Sequence, residues 1–559
     1  MTNKQIAKPL KETSALIELT GGNPFRSRAF ASAARTIERL EEPVADLLAR
    51  GELTGIKGIG KGLASQIEEI LAYGSFEARD NILGALPPGL LDVLSVKGLG
   101  AKKARVLWQR LSVQSLDDLE AAARSGRIAE LDGFAEKSQT SILENVALLR
   151  SFEGKRRLAD AWLEASLVAA SLTEQGFDPV SMSGELARGL NEVGCLSLVA
   201  GHTADQAPIL EGVSLKSSSA KHGTCHAGVL ADGLLVEILV CDPTDAGRAL
   251  VLTTGPKTFL DDLPVSLDAV SPATTEQDLF KDLGIPWIAP ELRDLSDAVQ
   301  RLDALSTLDL VTVADLRGCL HNHSTYSDGA HTLRQMSEAV RERGYAYFGI
   351  CDHSQSLKVA SGMSIDTVAR QQEEIRALNA EFAADGGPAF KVFSGVESDI
   401  LQDGSLDYPD EVLESFDMIV ASVHVGFNMS EAQATDRIIK AVSHPCTSIL
   451  GHPTGRLILK REGYPVNHRA VLQACAEFNV AVELNASPYR LDLDWRWIEL
   501  ARELGVLVSI NPDAHAIDQI DLTKWGVVAA RKGGLTADGC LNAMDASAFE
   551  AWLSQRIHR

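Results

Sequence analysis

In the last third of the chain, one short apolar or β-branched run after another ends in a side chain able to bind a metal ion. This repetition constrains the fold more than any other feature. Ala314 to Leu320 leads into His321-Asn322-His323, and Tyr347-Phe348-Gly349-Ile350-Cys351 leads into Asp352-His353. Lys391 to Val396 leads into Glu397, Met418 to Val423 into His424, Thr447 to Gly451 into His452, and Leu507 to Pro512 into Asp513-Ala514-His515. Helical patterning fills the intervals, as from Ile365 to Phe382 and from Trp495 to Leu504. Ala481 to Asn485, which carries no obvious ligand, brings the strands to seven. Such alternation predicts a parallel (β/α) barrel with its active face at the strand C-termini. His321 and His323 are two apart, a spacing that puts both rings on one face of a regular strand.

Imidazoles and carboxylates without thiolates suit zinc, manganese or iron better than calcium or a thiolate-bound structural zinc. One such histidine is more often an ordinary core residue; six at successive strand ends are not. The series His321-x-His323-x-x-x-x-Asp328-Gly329, Asp352-His353, Glu397, His424, Gly451-His452-Pro453 and Asp513-Ala514-His515 resembles the polymerase and histidinol phosphatase (PHP) family over about residues 314 to 559. The resemblance implies a distorted seven-stranded barrel holding three divalent ions. One is assigned to His321, His323, Glu397 and Asp513, a second to Glu397, His424 and His452 with Glu397 as the bridge, and a third to Asp328, His353 and His515. Ions in such a site activate water, orient a phosphoryl group and neutralise charge on the oxygens around it. Beside Glu397, the expected catalytic residues are Lys358 and Arg456 on the rim, with Arg490 a further phosphate-binding candidate. Asn485 is the expected support behind a ligand.

The rest of the chain bounds what that chemistry serves. At 559 residues several domains are required. Eight cysteines are scattered singly, excluding a disulfide framework or a zinc ribbon. No apolar run is long enough to cross a bilayer and the first residues lack a signal-peptide core, so a cytoplasmic address, the bacterial cytosol or nucleoid, is expected. The net charge of −23 argues against a protein that is basic all over, yet the first 150 residues or so are nearly balanced.

Within that stretch, Leu53-Thr54-Gly55-Ile56-Lys57-Gly58-Ile59-Gly60-Lys61 precedes an apolar helix. The pattern repeats as Leu94-Ser95-Val96-Lys97-Gly98-Leu99-Gly100-Ala101-Lys102-Lys103, and more weakly as Leu131-Asp132-Gly133-Phe134. Glycines at such turns allow positive φ and let backbone N–H groups reach a phosphate at a helix start. This is a helix-hairpin-helix pattern for gripping the DNA backbone without reading bases. Gly55, Lys57, Gly58, Gly60, Lys61, Lys97, Gly98, Gly100, Lys102 and Lys103 are the expected contacts, with Arg26, Arg28 and Arg35 as further basic candidates.

From about 155 to 310 the pattern becomes α+β. Asn23-Pro24-Phe25-Arg26, Thr254-Gly255-Pro256-Lys257 and Leu283-Gly284-Ile285-Pro286-Trp287 extend the resemblance to bacterial family X DNA polymerases with a C-terminal PHP domain. That implies a multidomain order: residues 1–80 a lyase-like helical domain, 81–154 a fingers-like helical region, 155–312 a nucleotidyltransferase-like palm and thumb, 313–559 the barrel. The palm departs from its family where chemistry is expected. Cys195 and Ser197 stand where the family has paired aspartates, Glu237 keeps the third acid, and Glu185 replaces a serine that helps hold triphosphate. Two-metal nucleotidyl transfer needs a cluster of carboxylates; only a substitution by Glu192 or Asp242 leaves it open. His222, Cys225 and His226 form a weak additional ligand pattern.

The expected function is a metal-dependent DNA phosphodiesterase, a 3′→5′ exonuclease by family resemblance, that processes DNA ends in repair with manganese supporting activity. Its expected partner is single-stranded DNA or gapped and 3′ ends, held through the backbone by a monomer with no membrane contact. An active gap-filling polymerase, a small-molecule phosphatase of the histidinol phosphate type and a non-catalytic scaffold remain as alternatives.

Overall fold

The computed structural model describes residues 3–557 apart from 39, 41, 43, 204, 205 and 232. It comprises two compact units, Met1–Glu153 and Gly154–Arg559. The first is helical throughout and has two apolar clusters. The helix Asn3–Thr20 feeds both, with Ile6 and Leu10 entering one beside Phe30, Ile59 and Phe76, and Leu16 and Leu19 entering the other beside Leu90, Leu107 and Val146. The four-residue step from Ile6 to Leu10 and the three-residue step from Leu16 to Leu19 give each cluster its own face of the helix. At Gly21 the backbone turns left-handed (φ 73°), and Gly22 N–H returns to the Ile17 carbonyl at 2.8 Å to end the helix.

The second unit opens on a five-stranded mixed sheet of β1 (Val180–Met182), β2 (Cys195–Gly201), β3 (Lys216–Ala220), β4 (Gly223–Val229) and β5 (Leu235–Cys241), in the order β1-β2-β5-β4-β3. β2 and β5 are parallel; the other pairs are antiparallel. Alternation along β2 sends Leu196 and Leu198 into the core with Leu158, Ala161 and Ala165 of the helix Leu158–Glu174, and leaves Cys195 and Ser197 half-buried on the opposite face. The expected boundary at 312/313 falls inside this unit, where one continuous apolar cluster includes both Leu198 and Ile438.

Among the described residues, seven parallel strands follow in sequential order: β6 (Gly318–Asn322), β7 (Tyr347–Ile350), β8 (Lys391–Asp399), β9 (Met418–Ser422), β10 (Ile449–Leu450), β11 (Ala481–Asn485) and β12 (Val508–Asn511). They are almost wholly buried, as parallel strands covered by helices must be. The helix expected from Ile365 runs Ile365–Ala384, while the one expected from Trp495 starts as a 3₁₀ turn, Trp495–Trp497, before Ile498–Glu503. β6 and β12 share no regular ladder. Instead the buried side chain of Asn542 donates to the carbonyls of Gly318 (3.1 Å) and Ile510 (3.0 Å) and accepts from Ile510 N–H (2.7 Å). Nearer the strand tips, His323 N–H donates to the Ala514 carbonyl at 2.8 Å. The amino ends of the strands are plugged by the helix Ala546–Ile557, whose Phe549 stacks on Tyr347 at 4.9 Å.

Replacing Asn542 by alanine strands three buried backbone partners across the seam. We expect a loss of about 3 kcal/mol, measured as the shift in urea of the barrel's fluorescence-detected unfolding transition; a loss below about 1 kcal/mol would mean the seam is held elsewhere.

Candidate metal centre and DNA-contacting elements

The two histidines that open the barrel meet by a different route from the one their spacing suggests. Pairing of β6 with β7 slips by one residue between Cys319 and Asn322, a bulge, and His321 sits inside it at φ 56°. Bulges re-aim side chains next to active sites. At the last strand Asp513 is also left-handed (φ 52°). Each such residue costs on the order of 1–3 kcal/mol and persists only where its surroundings over-determine it. His321 Nε2 and His323 Nε2 then lie 3.7 and 3.1 Å from Asp513 Oδ1.

Glu397, on β8, is the centre. Its Oε1 lies 3.3 Å from His321 Nε2, 3.1 Å from His424 Nε2 and 3.0 Å from His452 Nε2. Its Oε2 lies 2.8 Å from His353 Nδ1 and 3.7 Å from His323 Nε2. Asp328 completes the far side, 3.2 Å from His515 Nε2 and 3.6 Å from His353 Nε2. Three groups of potential ligand atoms result among the described residues, each within 4.8 Å: His321, His323 and Asp513; His353, Glu397 and His424; His323, Asp328, His353 and His515. Eight of the nine expected ligands enter these groups, His323 and His353 each shared between two, and the ninth, His452, stands outside them beside Glu397 at 3.0 Å. The donors fit divalent cations. His321 Nε2 and Glu397 Oε2 are buried, aimed into the pocket, and make no aligned hydrogen bond.

Behind these side chains stands a shell that orients them. His321 Nδ1 is 2.5 Å from Glu483 Oε1, His424 Nδ1 is 2.6 Å from Asp399 Oδ1, and His515 Nδ1 is 2.9 Å from the Asp513 carbonyl. Asn485, as expected, donates to Asp513 Oδ2 at 3.0 Å. Glu483 lies on the strand whose sequence offers no obvious ligand. It also accepts from His452 N–H (2.7 Å) and Asn511 Nδ2 (2.9 Å), making it the main residue that sequence reasoning missed. The available signal was an acid amid the apolar run Ala481-Val482-Glu483-Leu484. Asp352, also buried, accepts from Ser324 N–H (2.8 Å), Ser327 Oγ (2.5 Å) and Gln371 Nε2 (2.6 Å), and so pins the loop that carries Asp328.

Without cations, protons balance the carboxylates. Burial opposes charge on His424, but Glu397 and Asp399 outweigh it and lift its pKa to about 10. Burial likewise opposes charge on His515, and Asp328 and Asp513 raise it to about 9. His323 is depressed to about 3 by burial and then by His515 and His353, leaving it neutral. Glu397 is held well below the usual carboxylate range: burial pushes it up, and His424, His321 and His353 overcome that.

The rim differs from expectation at one position. The guanidinium of Arg456 is committed to Asp494 and to the carbonyls of Arg490 (2.9 Å from Nε) and Leu491, a loop clamp instead of a phosphate receptor. Arg490 is better placed, with Nε 3.9 Å from Asp513 Oδ2. Lys358 is exposed on the 3₁₀ turn Lys358–Ala360, after His353.

In the helical unit, Gly58 (φ 94°), Gly98 (φ 87°) and Gly133 (φ 87°) occupy equivalent left-handed turns. The following apolar residues, Ile59, Leu99 and Phe134, are buried as anchors. Open space surrounds Gly55, Gly58, Gly60, Gly98 and Gly100. Gly60 and Gly100 cap the helices Lys61–Tyr73 and Ala101–Leu111, so unpaired N–H groups point outward beside exposed Lys57, Lys61, Lys97 and Lys102. Lys103 is half-buried over the Phe134 ring, 5.4 Å from its centroid. Arg26 lies over Phe30 and Arg28 over Phe25; Arg35 is exposed.

On the five-stranded sheet, Ser197 stands directly across from Glu237, and its hydroxyl donates to Cys195 Sγ at 3.6 Å. Burial foremost pushes the Cys195 thiol up to about 11. Glu185 turns to accept from Gly194 N–H at 2.6 Å. Glu192 pairs with Lys155 at 3.0 Å, and Asp242 caps a 3₁₀ turn through Thr244 N–H at 2.9 Å. His222 is 2.9 Å from Asp268, and His226 Nδ1 is 3.0 Å from Ser217 Oγ. His222, Cys225 and His226 enter no group of three potential ligands among the described residues.

A DNA-gripping helical unit followed by a barrel with such a mouth defines a nucleic-acid-processing metalloenzyme class. Residues 1–76 match the helix-hairpin-helix domain model, 90–145 the SAM-like helix-hairpin-helix tandem, and 320–487 the PHP domain. The chain is 32% identical to the DNA polymerase/3′-5′ exonuclease PolX of Bacillus subtilis (strain 168), over 99% of its own length and 100% of that protein. It belongs to that family X polymerase/exonuclease family. Probable phosphatases are similar to part of it: one from Thermoanaerobacter sp. (strain X514) is 27% identical over 42% of this chain and 94% of its own length, and one from Syntrophotalea carbinolica is 26% identical over 40% and 90%. Among the described residues, no helix is long and apolar enough to cross a membrane.

Two predictions follow from the shell. Glu483→Gln removes the charge behind His321 and should weaken metal retention about 10- to 100-fold, read as metal content after dialysis against a graded chelator; retention equal to wild type would deny Glu483 this role. Cations must also displace protons from His424 and His515, with pKa values near 10 and 9. Zinc affinity in competition titrations should therefore rise from pH 7 to pH 9, and a flat profile would count against this proton balance.

Proposed function

We propose that this chain is a metal-dependent 3′→5′ exodeoxyribonuclease that trims DNA ends in repair, using the barrel mouth for chemistry. The observation that carries the reading is Glu397, a buried carboxylate within 3.7 Å of five imidazoles contributed by four strand ends, on the same chain as helix-hairpin-helix domains. Divalent cations held there, three by the family pattern and drawn from zinc, manganese or iron, would supply Lewis acidity and a water nucleophile at neutral pH. Of the chain's own groups, Glu397 sets the spacing between sites, Arg490 receives a phosphate oxygen, Lys358 adds positive potential at the edge, and Glu483 and Asp399 hold His321 and His424 in orientation. Residues 1–154 hold the DNA backbone through Lys57, Lys61, Lys97, Lys102 and the N–H groups around Gly58 and Gly98.

The reading includes loss of polymerisation by residues 155–312. Supporting it, Ser197 stands across from Glu237 and Cys195 across from Leu235, the side chain of Glu185 is bound to a backbone amide, and Glu192 and Asp242 have partners elsewhere. The name of the Bacillus relative keeps polymerase activity as the second reading, and the phosphatase relatives keep small-monoester hydrolysis as a third.

One assay separates the three. A 5′-labelled oligonucleotide with Mn²⁺ should be shortened stepwise, His321→Ala should lower the rate at least about 100-fold, and added dNTPs should give no extension. Incorporation that survives His321→Ala but disappears in Glu237→Ala would restore the polymerase. Fast phosphate release from small monoesters with the oligonucleotide intact would select the phosphatase.

A further inference from the structure

Beside the barrel mouth the second unit carries a groove of about 430 Å³ lined by Lys155, Arg156, Arg157, Lys460 and Tyr489, together with Asp160. That volume falls in the range of about 300–1,000 Å³ typical of small-ligand clefts, suited to one or two nucleotides. Tyr489 is 54% exposed although it sits at the junction of two walls. The Arg157 guanidinium covers one face of its ring, 3.7 Å from the centroid, and Ile458 N–H donates to its carbonyl at 2.7 Å. The ring is thus held in place while half of its surface stays exposed in a groove that it lines.

The charges are arranged to receive an anion. Arg157 is fixed by Asp160 (2.7 Å), Lys155 by Glu192 (3.0 Å) and Arg156 by Glu164 (3.7 Å), while the exposed ammonium of Lys460 has no carboxylate partner among the described residues. One cation is left in excess, in a chain whose net charge is −23. An arginine held by one carboxylate still has further N–H donors for a phosphate. The groove and the metal centre also share one segment of chain. Tyr489 lines the groove, and the next residue, Arg490, lies 3.9 Å from Asp513 Oδ2.

We propose that this groove is the track for single-stranded DNA entering the barrel mouth: one base stacks on Tyr489 while Lys460 and the Arg156–Arg157 pair receive the phosphates flanking it. Aromatic stacking beside a basic channel binds a single strand without regard to sequence, which suits an enzyme that must remove any terminal nucleotide. The proposal rests on the exonuclease reading and adds the residues that hold the strand behind the scissile bond.

The test uses the full-length protein with Mn²⁺ and two substrates, a 5′-labelled single-stranded oligonucleotide and bis(p-nitrophenyl) phosphate, a diester too small to reach the groove. Tyr489→Ala should lower the ratio of oligonucleotide to small-diester kcat/KM about tenfold, mostly through KM, and Tyr489→Phe should restore it. Lys460→Ala, on the opposite wall, should flatten the slope of log KM against log salt by about 0.7. An unchanged ratio in Tyr489→Ala, or a Phe variant as impaired as the Ala variant, overturns the groove while leaving the exonuclease standing. An acidic peptide that competes as well as an oligonucleotide of equal charge overturns DNA as the occupant. Wild-type protein that cleaves the small diester and leaves DNA intact overturns the exonuclease reading itself.

Discussion

An ionised carboxylate taken out of water costs several kcal/mol unless its surroundings repay it. Glu397 is 1% exposed, and the barrel surrounds it with imidazoles from strand ends far apart in sequence. Neither partner is stable there alone: the histidines need a negative centre to hold protons or share cations, and the carboxylate needs them to stay charged. The left-handed backbone at His321 and Asp513 belongs to the same bargain, local strain tolerated because it aims both side chains at the pocket. Cations bound by these side chains would for that reason be linked to folding of the mouth.

What lets so polar a cluster sit inside a β/α barrel is the closure of everything beneath it. The helix Ala546–Ile557 seals the amino ends with Phe549 against Tyr347, and Asn542 satisfies the carbonyls that the missing β6–β12 ladder leaves open. Glu483, Asp399 and Asp352 then fix ring orientations and the Asp328 loop from behind. The helical unit applies a related principle to a different anion. Glycine turns with buried Ile59 and Leu99 leave backbone N–H groups facing outward, and such groups contact phosphates without regard to base.

Much of this was legible in order of residue type. The seven-strand alternation and the hairpin turns followed from periodicity and turn residues, and the nine candidate ligands from side-chain type together with the resemblance to the PHP family. The misreadings share a cause. Arg456 looked like a phosphate receptor because a rim arginine has charge to offer; whether it is spent on Asp494 depends on a loop more than 30 residues away. Asn542 carried no local signature and Glu483 only that of an acid in an apolar run, since a seam asparagine and a ring-orienting glutamate acquire meaning from partners 28 to 224 residues distant. The i, i+2 argument for His321 and His323 reached the right neighbours through a regular strand, whereas the structure brings them together through a bulge.

The sequence by itself determined which groups the chain has for holding metal and phosphate, and that strand ends would collect them, because composition and period act over a few residues. Tertiary structure alone decided how those groups share one carboxylate, which arginine faces the pocket and which clamps a loop, and where the barrel's open seam is tied. Those outcomes depend on distances between residues remote in the chain, and no local pattern encodes them.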